Sequence, residues 1–481
     1  MIMQRIQTSI LNFFRNRKVF WFLFFFYFIG FILEMLYRNF FFELTVHDLG
    51  YQAQPIFNLL FNGKYYNSFE GMHPIANHFR PGLLVFLPFI KLIATPIWLL
   101  FFKIVAYMSC PLILLKYGKK YFVIEKYAYT LPILWLLNDI VSRTLNFQNV
   151  STGIILPFIM LAFFMAYENR HKSMYLLLIL VLFFKESMAL VWLSVGAFKF
   201  VISKQYRHGI FLFISGMIIG IFVHFGLMPM FNAGNLSNHH RLFAPFSYIP
   251  LKIIMFIKVF LSTGLILLVR PLVLLFVLPA FGLYVVGAKL GFFYISAHHH
   301  DFTITITFVG MFFVLKSYLE GSTWLNNLKL SKQKIMVTTA LFLLMVVGFS
   351  TGMPYLSLLR PIYKNGSYAE QFKLSREAIQ IFDKIDKGIT VYSCKGTGSY
   401  LLKHPDVRHL QYSTLELFSE KNAVSFYVVY PKNRKYMGID SQLFSLINNK
   451  VQEGLNNGSC VDLNLFEYFN IYLINKKTID S

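Results

Sequence analysis

Residues 19–37, VFWFLFFFYFIGFILEMLY, decide the fold class, because a nearly unbroken apolar run of about 20 residues is what a helix needs to cross a bilayer. Arg15, Arg17 and Lys18 stand directly before it. The run is too long for the core of a signal peptide and no small-residue cleavage site follows, so it reads as a retained first helix with a cytoplasmic N-terminus. Similar runs recur as far as residue 351. Lipid offers no partner to backbone N–H and C=O groups, so each run is expected to be helical.

Composition points the same way. Of 481 residues, 56% are hydrophobic and 14% charged, whereas an ordinary soluble domain carries about 25% charge, so the chain reads as an α-helical polytopic membrane protein. The formal charge is +23, but Lys and Arg are spread over short loops between apolar runs. That distribution implies membrane topology and contact with anionic lipid, and it excludes nucleic acid as a partner. The cysteines form no paired CxxC motif, and Cys110 lies inside an apolar run as an inert thiol.

The basic loops orient the chain. Lys116, Lys119, Lys120 and Lys126 form one, Arg170 and Lys172 a second, Lys204 and Arg207 a third, and Lys329, Lys332 and Lys334 a fourth, all taken as cytoplasmic. The loop 39–96 then faces outward. A full span at 81–94, PGLLVFLPFIKLIA, would put the Lys116 loop on the wrong side. This short segment, with Pro81 and Pro88, is therefore expected to lie along the outer interface. Further spans are expected at 97–115, 127–142, 152–167, 173–186, 188–201, 210–228, 252–268, 271–287, 302–318 and 335–351, which with the first makes about eleven.

Beyond residue 354 charge becomes frequent and apolar runs shorten. ITVYSC (389–394), VSFYVVY (424–430) and FNIYLI (469–474) have strand composition, while SREAIQIFDKI (375–385) and SQLFSLINNKVQEGL (441–455) have helical spacing. The expected division is a membrane domain, 1–354, and a small extracytoplasmic α/β domain, 355–481. Cys394 and Cys460 in the latter are candidates for a disulfide. KGTGS (395–399) reads as turn glycines rather than a nucleotide loop.

Chemistry concentrates in the first outward loop. NFFFELTVHDLGYQAQPIFNLLFNGKYYNSFEGMHPIANHFRPG, residues 39–82, carries His47, Asp48, His73, His78 and Arg80. Ionisable groups at a membrane surface are costly unless used. Asp48 suits a general base but equally a helix N-cap; Arg80 suits phosphate oxygens or a snorkelling anchor; the histidines suit interfacial hydrogen bonds. Lys185 and Glu186, near the outer end of the fifth span, either pack helices together or line a substrate cavity. His298, His299, His300 and Asp301, like His239, His240 and Arg241, precede or lie between spans. A divalent cation, a headgroup contact and plain solvation are the alternatives for the HHHD cluster.

HDLGYQAQPIFNLLFNGKYYNSF (47–69) followed by NHFRPGLLVFLPF (77–89) resembles the opening signature of the membrane family called domain of unknown function 2079. In that family an Asp-Leu-Gly motif precedes an aromatic-rich stretch and a His-Phe-x-Pro motif. LFFKESMAL (182–190) resembles its intramembrane Lys-Glu-Asp segment, and residues 375–410 resemble its C-terminal part. The family in turn resembles the GT-C superfamily of multi-span glycosyltransferases. That resemblance implies a polyprenyl-phosphate-linked sugar as donor and an acidic catalytic residue in the first outward loop, here Asp48. Where the relatives tend to show Phe-His beside an acid in the second outward loop, this chain has NFQNVS (146–151), and Asp139 is either a substitute or a topological charge.

The expected activity is an inverting sugar transfer at the outer face of the plasma (inner) membrane. In it Asp48 takes the acceptor proton, Arg80, His78 and His47 hold the departing phosphate, and Lys185 and Glu186 line the cavity. No cofactor is firmly implied. The rival expectations are a transporter or flippase for a lipid-linked sugar or small solute, and a non-catalytic scaffold; paired broken helices would favour transport, and the sequence has none.

Overall fold

The computed structural model describes residues 9, 11–40, 49–69, 71–146, 149–231, 249–263, 266–282, 300–323, 377, 389–393, 407–409, 426–431, 441–456, 460–463 and 469–474. The run at 335–351, the basic loop at Lys329, Lys332 and Lys334, the helical pattern at 375–385 and KGTGS lie outside them, apart from Glu377. The chain divides into two compact units. One comprises Met1–Ile32, Ile75–Gly82 and Phe101–Leu356; the other comprises Leu33–Pro74, Leu83–Leu100 and Ser357–Ser481.

In chain order the main helices are α1 (Arg17–Phe40), α2 (Tyr51–Asn62), α3 (Ile97–Tyr121), α4 (Thr130–Leu137), α5 (Asp139–Asn146), α6 (Leu156–Tyr167) and α7 (His171–Leu182). After these come α8 (Ala189–Val201), α9 (Tyr206–Met230), α10 (Ile249–Ser262), α11 (His300–Leu319) and α12 (Ser441–Asn456). Among the described residues four helices, α1, α3, α9 and α11, are long and apolar enough to cross a membrane, and shorter apolar helices accompany them.

Burial separates the roles of these helices. In α11, 78% of the apolar window is buried, so it is an interior helix, whereas in α9 the figure is 17%. Phe211, Ile214, Ile218, Ile221 and Phe222 of α9 are exposed, a surface that water would penalise and lipid covers. α9 packs on α8 through Gly196 and Gly209, where a Cβ on either glycine would come within 3.0 Å of the partner helix's backbone. The hydroxyls inside α11 are satisfied locally: Thr305 and Thr307 donate to the carbonyls of Asp301 and Thr303, both at 2.8 Å.

Some expected spans are interrupted, each for a local reason. The 127–142 run becomes a 3-10 turn, Glu125–Tyr129, followed by α4 and α5, which break at Asn138. Asn138 is extended, its Oδ1 accepts the Val141 N–H at 3.2 Å as a cap for α5, and its Nδ2 donates to the Ser262 carbonyl at 2.9 Å. The 173–186 run ends as a helix at Leu182. From Pro271 to Phe281 the chain forms short 3-10 and α turns, with Pro271 and Pro279 each removing an N–H. The proline-rich 81–94 segment is a short 3-10 and α piece, Pro81–Leu92.

In the second unit α2 ends at Gly63, whose positive φ of 65° closes the helix with an N–H to the Asn58 carbonyl. Amide side chains then fold the following segment back along the helix. Gln54 Oε1 accepts the Ser68 N–H at 2.9 Å, Asn58 Nδ2 donates to the Tyr66 carbonyl at 2.9 Å, and Asn67 pairs with Met72. His73 meets Tyr65 edge-on at 5.4 Å, and burial lowers its pKa.

The C-terminal sheet consists of β1 (Thr390–Ser393), β2 (Val407–His409), β3 (Phe426–Pro431), β4 (Cys460–Asp462) and β5 (Phe469–Ile474) in the order β2-β1-β3-β5-β4. β1 is parallel to β2 and β3, while β3–β5 and β5–β4 are antiparallel. Cys394, one partner of the expected disulfide, lies outside the described residues. Cys460 is a buried free thiol, pushed up to about 12 by burial and by Asp462.

Candidate functional site

Two segments distant in sequence meet in the first unit. Between α7 and α8 the chain leaves the helix: Lys185 is extended, and the short turn Glu186–Met188 leads into α8. Opposite lies His78–Gly82, where Pro81 has no N–H to give and the Gly82 N–H donates to the Phe183 carbonyl at 2.8 Å. A Cβ on Gly82 would stand 2.6 Å from the Phe184 ring, so this approach needs glycine. Phe79 packs near Phe183 at 5.9 Å and joins Val223 and Met228 in a small apolar cluster.

Glu186 is the hub of this contact. Its Oε1 lies 3.0 Å from His78 Nδ1, and its Oε2 accepts the Phe79 N–H at 3.1 Å. Burial alone would raise the carboxyl pKa. The His78 charge and hydrogen bond, then Lys185 and Arg80, outweigh it and hold the group well below the usual carboxylate range.

A second polar centre lies at the head of α11. Asp301, at the start of α11, accepts the Tyr107 hydroxyl at 2.5 Å on one oxygen and the Thr152 hydroxyl at 2.7 Å on the other. Lys103 of α3 donates to the Thr144 carbonyl at 2.7 Å. Lys103, Tyr107, Thr152, Lys185 and Asp301 are all buried. Around Glu186, Arg80 and Lys185 outnumber the one carboxylate, more so when His78 is protonated.

The structure thus brings together His78, Arg80, Lys185 and Glu186, four of the residues singled out from sequence. His47 and Asp48, together with Gln148, His239, His240, Arg241, His298 and His299, lie outside the described residues. Asp139 pairs with Arg143 one turn along its own helix, at 2.8 Å. Ser151 bonds Asn149 within the acid-poor second loop, and the acid that Thr152 finds is Asp301. Solvation is excluded for His300 and Asp301, both fully buried. Their surface-like pattern arises from standing at the head of an apolar helix that is itself interior. Among the described residues no group of three or more His, Cys, Asp or Glu side chains could hold a metal ion.

Sequence reasoning missed Lys103, Tyr107 and Thr152. Only Lys103 carried a usable signal, as a lone charge within the apolar run IWLLFFKIVAYM.

A helical membrane protein with a partly buried ionic contact between a helix end and a distant short loop is the class defined by this arrangement. Residues 38–393 match the family described as "Predicted membrane protein (DUF2079)", and the chain belongs to that family. No curated protein and no solved structure matches the chain.

Proposed function

We propose that the protein is an integral membrane glycosyltransferase of the GT-C kind, moving a sugar from a polyprenyl-phosphate donor to an acceptor on the outer face of the membrane. One observation carries the reading: Arg80, Lys185 and His78 converge around Glu186 from segments about a hundred residues apart, in a partly buried centre with excess positive charge. Such a centre suits an anion. A phosphate leaving the anomeric carbon gains negative charge as its bond breaks, and fixed cations in a water-poor site stabilise that charge strongly. Arg80, with its planar fork, suits the phosphate oxygens best.

Both oxygens of Glu186 and both of Asp301 already accept hydrogen bonds, which argues against either as the base. That role stays with Asp48, the sequence assignment. With the basic loops at Lys119, Arg170 and Lys204 in the cytoplasm, His78–Gly82 and Lys185–Glu186 belong to the outward side of about eleven spans, in the inner membrane.

Sugar transfer from polyprenyl-phosphate donors, assayed in membranes at matched protein level, tests the reading. Asp48→Asn keeps an oxygen able to cap a helix but not a general base, and a rate loss of about 10²–10⁴ is expected. Wild-type transfer by this variant would refute the mechanism.

A further inference from the structure

We propose that the turns joining α6 to α7 and α8 to α9 form one binding site for the phosphate headgroup of an anionic phospholipid, with the acyl chains lying along the exposed faces of α7 and α9. The site is at the other end of α7 from Lys185 and Glu186, and it does not depend on the sugar-transfer reading.

The two turns are built alike. Asn169 and Lys204 take positive φ values of 59° and 53°, and the next residues, Arg170 and Gln205, stand at the heads of α7 and α9 without a side-chain cap. Side chains lock one turn to the other. Gln205 Nε2 donates to Asn169 Oδ1 at 2.7 Å, and Lys199, buried in the last turn of α8, donates to Asn169 Oδ1 at 2.9 Å and to Gln205 Oε1 at 2.8 Å. The His171 and His208 rings meet at 4.5 Å and, about one turn further on, those of Tyr175 and Phe211 meet at 6.5 Å. These contacts occur in the same order along both helices, so α7 and α9 run side by side and parallel. Two positive helix ends therefore share one surface.

The charge at that surface is one-sided. Lys199 is held by two neutral amide oxygens, which leaves one of its three protons without an acceptor among the described residues. His171 Nδ1 is enclosed with no hydrogen-bond partner among the described residues. Arg170, Lys172, Lys204 and Arg207 are exposed, while the one carboxylate in either turn, Glu168, already accepts from Lys120 and Tyr121 and lies 3.9 Å from Arg170. Clustered cations and helix N-termini repel one another unless an anion joins them, so the arrangement suits one.

The surface below selects a lipid over a free anion. Phe200 and Tyr206 expose rings that meet edge-on at 4.8 Å, as aromatics at a membrane interface do. Further along the helices Leu176 and Ile179 of α7 and Phe211 and Ile214 of α9 are exposed. A phosphate diester carrying acyl chains meets cations and apolar surface together, whereas inorganic phosphate uses the cations alone.

The test uses full-length protein in nanodiscs of equal phosphatidylglycerol and phosphatidylcholine, read by native mass spectrometry of the released protein. Wild type is expected to retain phosphatidylglycerol preferentially, and Lys172→Gln/Arg207→Gln to lose that preference at least fivefold. Lys116→Gln/Lys126→Gln, which removes the same charge from another basic loop, is expected to behave as wild type. Equal losses in the two double variants would reduce the effect to diffuse charge and overturn the site, as would a preference unchanged by Lys172→Gln/Arg207→Gln. Melting supplies the second arm. Phosphatidylglycerol in place of phosphatidylcholine is expected to raise the melting temperature of wild type and not of Lys172→Gln/Arg207→Gln. If inorganic phosphate stabilised wild type in phosphatidylcholine nanodiscs as strongly as phosphatidylglycerol does, the ligand would be a free anion and the lipid assignment would fall.

Discussion

The two ends of α3 and α11 treat charge in opposite ways. Lys103 and Lys120 are separated by about 25 Å along α3 at about 1.5 Å per residue. At the first end Lys103, Lys185 and Asp301 are buried, and Glu186 has each oxygen engaged. At the second, Lys119 meets Glu125 with the two side chains 44% and 70% exposed. Exposed pairs gain little, because water already solvates them. Buried charges are costly unless each is matched, so a protein that keeps several of them together uses the arrangement. One end is built of enclosed charge; the other carries charge at the surface.

The largest effect in stability should follow from breaking the buried end. Glu186→Ala leaves the Phe79 N–H and the His78 ring without their acceptor and is expected to cost about 1–3 kcal/mol, the range for leaving enclosed donors unsatisfied. Lys119→Ala at the other end should leave the melting temperature almost unchanged. Equal losses from the two variants would erase the distinction between the ends.

Packing gives the next effect. Gly82→Ala drives a methyl into Phe184, itself buried, and should cost about 1–3 kcal/mol as an overpacked contact. A companion Phe184→Leu change should restore part of that loss if the clash is the cause.

A smaller effect depends on pH. The Glu186 carboxyl is depressed in the folded protein, so its stabilisation is complete above the unfolded value of about 4.3 and is lost as pH falls through the lower folded value. Melting curves should show wild type more stable than Glu186→Gln at neutral pH, with the gap narrowing only in strong acid. A constant gap down to the acid limit would show that the carboxylate charge is not what stabilises the contact.

These contrasts also show what the sequence could reveal. HFRPG and FFKE were both legible, because a charge beside proline or inside an apolar run stands out. Their contact was not, since Glu186 and His78 are 108 residues apart and nothing in either segment encodes the other. For Asp301 the sequence offers a cation, a headgroup or solvent as partner and not an interior one, because burial of α11 is a property of its neighbours and not of its own composition. The longer strands β1, β3 and β5 were visible from β-branched and aromatic content. β2 and β4, three residues each, are strands only through pairings such as Val391 with Val407 and Asp462 with Tyr472. The helix break at Asn138 was hidden for a similar reason, since one of its stabilising bonds goes to the distant Ser262 carbonyl.

Orientation can be checked independently of any substrate. Single cysteines replacing Asn77 and Lys119, in a background without Cys110, Cys394 and Cys460, should label from opposite sides with an impermeant reagent. Labelling from one side would place both ends in the same compartment.

The most direct measurement of the central claim is native mass spectrometry of the purified protein released from nanodiscs containing undecaprenyl phosphate. Wild type and Lys120→Ala are predicted to retain the lipid, whereas Arg80→Ala and Lys185→Ala are predicted to lose it. Equal retention by all four proteins would contradict the assignment of the buried end as the phosphate-holding site.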